Sequence, residues 1–287
     1  MRKKIASFCF GLLFLIGVGA LCYPAFSGWV NDRHATKVVS NYNDTVSELS
    51  DDDYSMIIKT ADEHNRQIEQ SGSLSSAVSM EDQDELETYN NILNIDGTGV
   101  MGAIRIPKID ITLPIYHSTE ESILQEAVGH YVGSSLPIGG ESTHSILSGH
   151  RGLPSARLFT DLDQMEVGDK FYIDIMGNTH AYEVDSIQIV LPDVMDSLDV
   201  VPGKDYVTLV TCTPYGVNTH RMLVRGTRIP YIPEDEQKED MSMATETRRR
   251  IPLIIVFAVG VFGISILAGN ICGKHKRKKS ENRREGQ

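Results

Sequence analysis

The chain has 287 residues, 41% of them hydrophobic, four cysteines and a net charge of −12. That length allows one sizeable domain with appendages. The acidity argues against nucleic acid or any other polyanion as a partner, and so few cysteines exclude a disulfide framework.

Arg2, Lys3 and Lys4 precede an uncharged run from Ile5 to Phe26. About 20 apolar residues cross a bilayer as a helix. Residues 5–26 are therefore expected to be a retained transmembrane anchor, with 1–4 cytoplasmic; the run is longer than the apolar core of a cleaved signal peptide. Residues 27–99 read as a helical region. HATKVVSNYNDTVSELS and DYSMIIKTADEHNRQIEQ place apolar residues at three- and four-residue spacings without Gly or Pro. Small polar residues near 71–80 interrupt this pattern, and a short helix ends near Leu93. With few large apolar residues, the region is expected to lie against the next domain rather than form its own core.

Residues 100–232 change to short β-like runs. GAIRIPKI and ITLPIYH alternate apolar and polar residues around prolines. TEESILQEAVGHY reads as a helix capped by Ser118 or Thr119, HSILSGH as a strand entering a Gly-rich turn, and SARLFTDLDQM as a short helix. DKFYIDIM and HAYEVDSIQIV predict a hairpin turning at Gly177 and Asn178. DYVTLVTC and HRMLVRGTRI predict a second strand pair about the loop TPYGVNT. Many short strands with minor helices predict a closed or partly closed β-barrel.

Residues 233–250 have the composition of a linker. A second apolar run, 251–273, precedes a basic tail, 274–287, with seven Lys/Arg and two Glu. This predicts a second transmembrane helix and two cytoplasmic termini. With the three leading positive charges and the net five of the tail set aside, the extracytoplasmic body carries −20.

Cys9, Cys22 and Cys272 lie in or at the ends of the apolar runs, so Cys212 is alone in the body. A lone exported thiol is open to oxidation and needs a reason to be there; the plain alternative is a small buried hydrophobe. Thiol acyl transfer needs a thiolate, an imidazole to exchange a proton and a cation for the tetrahedral oxyanion. Cys212 ends YVTLVTC, His150 ends HSILSGH and Arg221 opens HRMLVRG, so three strand ends can converge at one barrel mouth. Alternation puts Val207, Leu209 and Thr211 on one face of their strand, and Thr208, Val210 and Cys212 on the other. His144 and His220 are rival bases, and Arg225 is a rival cation.

TLVTC at 208–212 matches the sortase signature TLxTC at every fixed position, and Arg221 follows the Cys by nine residues. SGHRG at 148–152 is similar to the histidine motif of that family, and MGAIRIPKIDITLPIYH at 101–117 to its first two strands. CTPYGVNTHRMLVRG at 212–226 resembles the pilus-assembling branch, class C. The resemblance spans about 100–230. It implies a mainly β fold: an eight-stranded sortase β-barrel with N-terminal helices and two terminal transmembrane helices. It implies Cys212 as nucleophile, His150 as general acid/base and Arg221 as oxyanion partner, with Thr208, Thr211 and Pro214 at the substrate, and no metal or cofactor.

The implied reaction cleaves an LPXTG-like sorting signal through a thioester and passes the acyl group to a lysine of a pilin subunit. The alternative acceptor is the cell-wall precursor, which would anchor surface proteins. A lid is expected near 70–90, but SLSSAVSMEDQ lacks the Asp-Pro-aromatic motif that often anchors it, which predicts a looser lid over a more open site. An L,D-transpeptidase would bring its His and Cys close in sequence, whereas His150 and Cys212 are 62 apart. A membrane-tethered adhesin or receptor domain on the same barrel is the non-enzymatic alternative.

Overall fold

From Val100 to Ile229 the chain runs in short strands between turns, several of them buried along nearly their whole length. The structure is a computed structural model that describes residues 2–71, 83–194, 198–234 and 236. Its eight strands are β1 (Val100–Ile106), β2 (Ile111–His117), β3 (Val128–His130), β4 (Thr143–Ser148), β5 (Lys170–Ile175), β6 (Asn178–Val190), β7 (Asp205–Thr213) and β8 (His220–Ile229). They close into a barrel in the order β1-β2-β3-β4-β7-β8-β6-β5. Neighbours are antiparallel except for β2 with β3 and β4 with β7. Leu147, Phe171, Val207, Leu209 and Val224 are buried in the main core, each worth about 1.5–3 kcal/mol on burial.

Among the described residues, four helices accompany the barrel: α1 (Arg2–Ser47), α2 (Asp51–Ser71), α3 (Gln83–Asn91) and α4 (Glu121–Leu124). The expected anchor and first polar helix are one continuous helix, α1, with Pro24 inside it. α2 begins where Ser50 Oγ accepts from the Asp53 amide at 3.1 Å and donates to Asp53 Oδ2 at 2.6 Å, which satisfies an otherwise orphaned helix N–H.

The N-terminal helices lie against the barrel, as their thin apolar content required. The buried Tyr42 hydroxyl of α1 donates to the Met101 carbonyl at 2.8 Å and accepts from the Met176 amide at 3.0 Å. Burial pushes its phenol up to about 12. Asn65 of α2 pairs with the backbone of Leu136, donating to its carbonyl at 3.1 Å and accepting from its amide at 2.7 Å. Among the described residues, no helix is long and apolar enough to cross a membrane. Most side chains of 5–18, residues 72–82 of the lid-like segment, and the run 251–273 with its tail lie outside the described residues.

Four local expectations are corrected. TEESILQEAVGHY is not one helix: only Glu121–Leu124 is helical, and Val128–His130 is strand β3. Buried Val128 and His130 pair with β2 and β4, and this long-range pairing overrides the local pattern. Neither Ser118 nor Thr119 caps α4: the N-cap is Glu120, without a side-chain bond. SARLFTDLDQM forms turns with one 3₁₀ turn at Leu162–Gln164, because Leu158 takes a φ of 40°, which ends any helix there. The β5–β6 hairpin turns at Met176 and Gly177, both with positive φ, while Asn178 pairs with Ile175; the buried Met176 amide is fixed by Tyr42.

Candidate functional site

β4, β7 and β8 lie side by side, and their outward residues form the floor of a cavity of about 580 Å³. Ile146, Val210 and Leu223 form that floor, with Leu198 packed on them. Alternation along β7 separates Val210 and Cys212 from Val207 and Leu209, which face the main core. Cys212 therefore opens on the outer wall of the barrel near one strand end, rather than inside a barrel mouth.

Register places the three expected catalytic residues. Cys212 is paired directly across from Arg221 in the antiparallel β7–β8 ladder, and such neighbours have Cβ atoms about 4.5–5.5 Å apart. β4 runs parallel to β7 with Ser148 beside Val210. Carried on by two residues, that register brings position 150 level with position 212. Cys212, His150 and Arg221 all line the cavity.

The backbone around His150 is held from several directions. The Gly149 amide donates to the Val210 carbonyl at 3.1 Å, and the Gly149 carbonyl accepts from Thr211 Oγ1 at 2.7 Å. A side chain at 149 would meet the Phe159 ring, since a Cβ there lies 2.7 Å from it. The His150 carbonyl accepts from the Phe159 amide at 3.1 Å. Next in sequence, the nearly buried Arg151 is ion-paired to Asp163 and donates to the Thr160 carbonyl at 3.2 Å and to Thr213 Oγ1 at 3.3 Å. Its guanidinium also lies 5.9 Å from the Tyr215 ring centre. Arg151 thus ties the histidine loop to the chain just beyond Cys212.

The His150 side chain is 25% exposed, and its Nε2 lies 3.2 Å from each carboxylate oxygen of Glu121. Glu121 Oε1 also accepts from the Gln125 amide at 3.2 Å. Gln125 first, and then His150, hold the Glu121 carboxyl below the usual carboxylate range. Arg221 lies beside the β7–β8 turn, donating from Nη1 to the carbonyls of His220 at 3.2 Å and Asn218 at 3.3 Å.

The rivals are engaged elsewhere. His144 is buried, with Nδ1 at 3.0 Å from the Asp199 carbonyl and Nε2 at 2.7 Å from Thr208 Oγ1, and burial pushes it down. Arg225 is bidentate to Asp185 at 2.8 and 3.1 Å and lies over Tyr206. His220 contacts Thr219 Oγ1 and stays off the cavity lining. Of the three residues expected at the substrate, Thr211 lines the cavity, with its hydroxyl spent on Gly149. Thr208 is buried on His144 and Pro214 is exposed on the loop; neither lines the cavity. Among the described residues no His/Cys/Asp/Glu cluster could hold a metal.

Residues 104–229 match the sortase domain model. The structure is similar to that of sortase C1 from Streptococcus agalactiae, at 54% identity and a TM-score of 0.65, covering 68% of this chain and all of that one. The chain belongs to the sortase family. A second similar structure is Clostridium perfringens sortase C with the C-terminal cell wall sorting motif, at 41% identity and a TM-score of 0.60, covering 69% of this chain and all of that one. Sortase A of Streptococcus agalactiae is 30% identical over 162 residues, which is 55% of this chain and 64% of the relative. The eight-stranded sortase barrel with N-terminal helices thus accounts for the described residues.

Sequence reasoning missed two residues around His150 of this sortase. Glu121 falls within TEESILQEAVGHY, which reads as one helix; its only local signal is the four-residue spacing to Gln125. Arg151 sits inside the SGHRG motif, yet its pairing with Asp163 and Tyr215 depends on loops that only the fold brings together.

Proposed function

We propose that the protein is a class C cysteine transpeptidase that polymerises pilin subunits bearing LPXTG-like sorting signals. The observation that carries this reading is the pairing of Cys212 with Arg221 across β7 and β8, in a cavity that His150 also lines. In this mechanism the Cys212 thiolate attacks the carbonyl of the signal's Thr–Gly bond and forms an S–C bond. Arg221 stabilises the tetrahedral oxyanion. As the C–N bond breaks, His150 protonates the departing amine, leaving a thioester on Cys212. A pilin lysine then attacks, His150 takes its proton, and an isopeptide bond replaces the thioester. The apolar floor of Ile146, Val210 and Leu223 suits the apolar residues of such a signal.

The class C assignment draws on the 212–226 segment and on the second apolar run. The same reading places residues 5–26 and 251–273 across the membrane with both termini cytoplasmic, supported by their lengths and basic flanks. Reporter fusions at residues 30, 240 and 285 test it: the first two are expected outside and the third inside, and an outside signal at 285 overturns the two-pass topology. For the reaction, the full chain is incubated with an LPXTG-type peptide and either a lysine-bearing pilin peptide or an amine from a wall precursor. Preferential isopeptide formation with lysine supports polymerisation; exclusive use of the wall amine supports anchoring instead.

A further inference from the structure

The ring of His150 has a partner that the three-residue catalytic set does not include. Both oxygens of the Glu121 carboxylate lie at 3.2 Å from its Nε2. α4 carries Glu121 between Thr119 and Leu124, which line the cavity. Gln125, one turn on, donates to Glu121 Oε1 and holds that carboxylate in place. The other titratable groups lining the cavity are Tyr131, Asp193, Cys212 and Arg221. Among the described residues, Glu121 is the group bonded to the imidazole.

We propose that Glu121 is the positioning residue of the catalytic histidine, holding the His150 ring by Nε2 so that Nδ1 is the nitrogen that exchanges protons with the substrate. An ionised carboxylate only accepts hydrogen bonds, so Nε2 must carry the hydrogen and, in the neutral ring, Nδ1 must present the lone pair. A base oriented by a third group is the general arrangement of activated-nucleophile sites. During acylation Nδ1 takes the Cys212 thiol proton and passes it to the departing amine as the S–C bond forms and the C–N bond breaks. During resolution Nδ1 takes a proton from the incoming amine as the new N–C bond forms and the S–C bond breaks. The Nε2 hydrogen stays on the ring, donated to Glu121, through both steps, and no electrons are gained or lost. Glu121 touches no reacting atom in this scheme; it acts through the ring.

This inference rests on the transpeptidase reading, and its test separates the two. Full-length protein with ¹⁵N-labelled histidine is examined by NMR without substrate, with His150 assigned from a His150→Asn sample. The wild type is expected to show hydrogen on Nε2, Glu121→Ala a mixture of the two tautomers, and Glu121→Gln, whose amide oxygen still accepts, the wild-type pattern. In turnover with an LPXTG-type peptide and a lysine amine, Glu121→Ala is expected to lose about fivefold in kcat, the upper range for a solvent-exposed ion pair, with KM unchanged. Glu121→Gln should recover most of that loss. An unchanged ring signature and kcat in Glu121→Ala overturn the proposal, as does a change in KM alone. Should the wild type form no acyl-enzyme while its ring signature still depends on Glu121, the transpeptidase reading falls and the pairing stands.

Discussion

Two histidines flank the same strand and meet opposite surroundings. His130 of β3 pairs with Leu147 of β4, and His150 follows the end of β4. His130 has no exposed surface. Its Nδ1 lies 2.7 Å from the Tyr89 hydroxyl of α3, and its Nε2 lies 2.9 Å from the Ser135 carbonyl and 3.0 Å from Ser134 Oγ. Burial pushes it down to about 3. It is a neutral peg joining an N-terminal helix to the barrel. His150 keeps a quarter of its side chain in solvent and bonds a carboxylate instead of a hydroxyl. The contrast teaches that burial and partner chemistry, rather than residue type, set these two histidines apart.

Breaking the site should cost the most. Arg221→Ala is expected to lower kcat by about 10²- to 10³-fold, the usual loss on removing an oxyanion donor, with little change in thermal midpoint. Arg225→Ala, four residues along the same strand, should do the reverse. It loses the Asp185 pair and the Tyr206 contact and destabilises by about 1 kcal/mol, with kcat within about twofold of wild type. Steady-state kinetics and thermal melts on the pair check both halves.

Acid should break the buried seam next. The folded-state value of His130 lies below its ordinary one, so an unfolded chain binds the proton more readily. Stability from the neutral ring is therefore complete above about pH 6.5 and is lost as pH falls toward about 3, at about 1.4 kcal/mol per unit. His64 of α2, also pushed down by burial, adds in the same direction. Urea denaturation at pH 7.5 and pH 4.5 should differ by about 3 kcal/mol or more in unfolding free energy, and a flat profile would remove the contrast between the two histidines.

Smaller changes sharpen the comparison. Tyr89→Phe strips a bond from His130 and should cost about 1–3 kcal/mol with kcat unchanged, read by chemical denaturation and turnover. Thr208→Val removes the hydroxyl that meets His144 and should cost about 1 kcal/mol, again without effect on KM for the sorting-signal peptide. A rise in KM would restore Thr208 to the substrate.

Much of the barrel was legible because short apolar, β-branched runs, whose side chains alternate faces as strands, are bounded by turn signals: YVTLVTC and HRMLVRGTRI agree with β7 and β8 to within a residue. The same alternation put Cys212 on the face opposite Leu209. What stayed hidden depends on contacts far apart in sequence. Helical spacing in TEESILQEAVGHY yields to pairing of β3 with β2 and β4. The helical spacing of Leu158, Leu162 and Met165 is interrupted by one left-handed residue. Thr208 shares its strand face with Cys212, yet the His144 ring covers it. The partnership of Glu121 with His150 crosses 29 residues, and no local pattern announces it.

The central claim is that the Cys212 sulfur accepts an acyl group from a sorting-signal peptide. Intact-mass and peptide-mapping spectrometry of the full-length protein, quenched in acid after exposure to an LPXTG-type peptide, tests it most directly. A mass gain equal to the peptide through its threonine, mapped to Cys212 and absent from Cys212→Ala, is the predicted result. No adduct on the wild type, or an adduct that persists in Cys212→Ala, would contradict it.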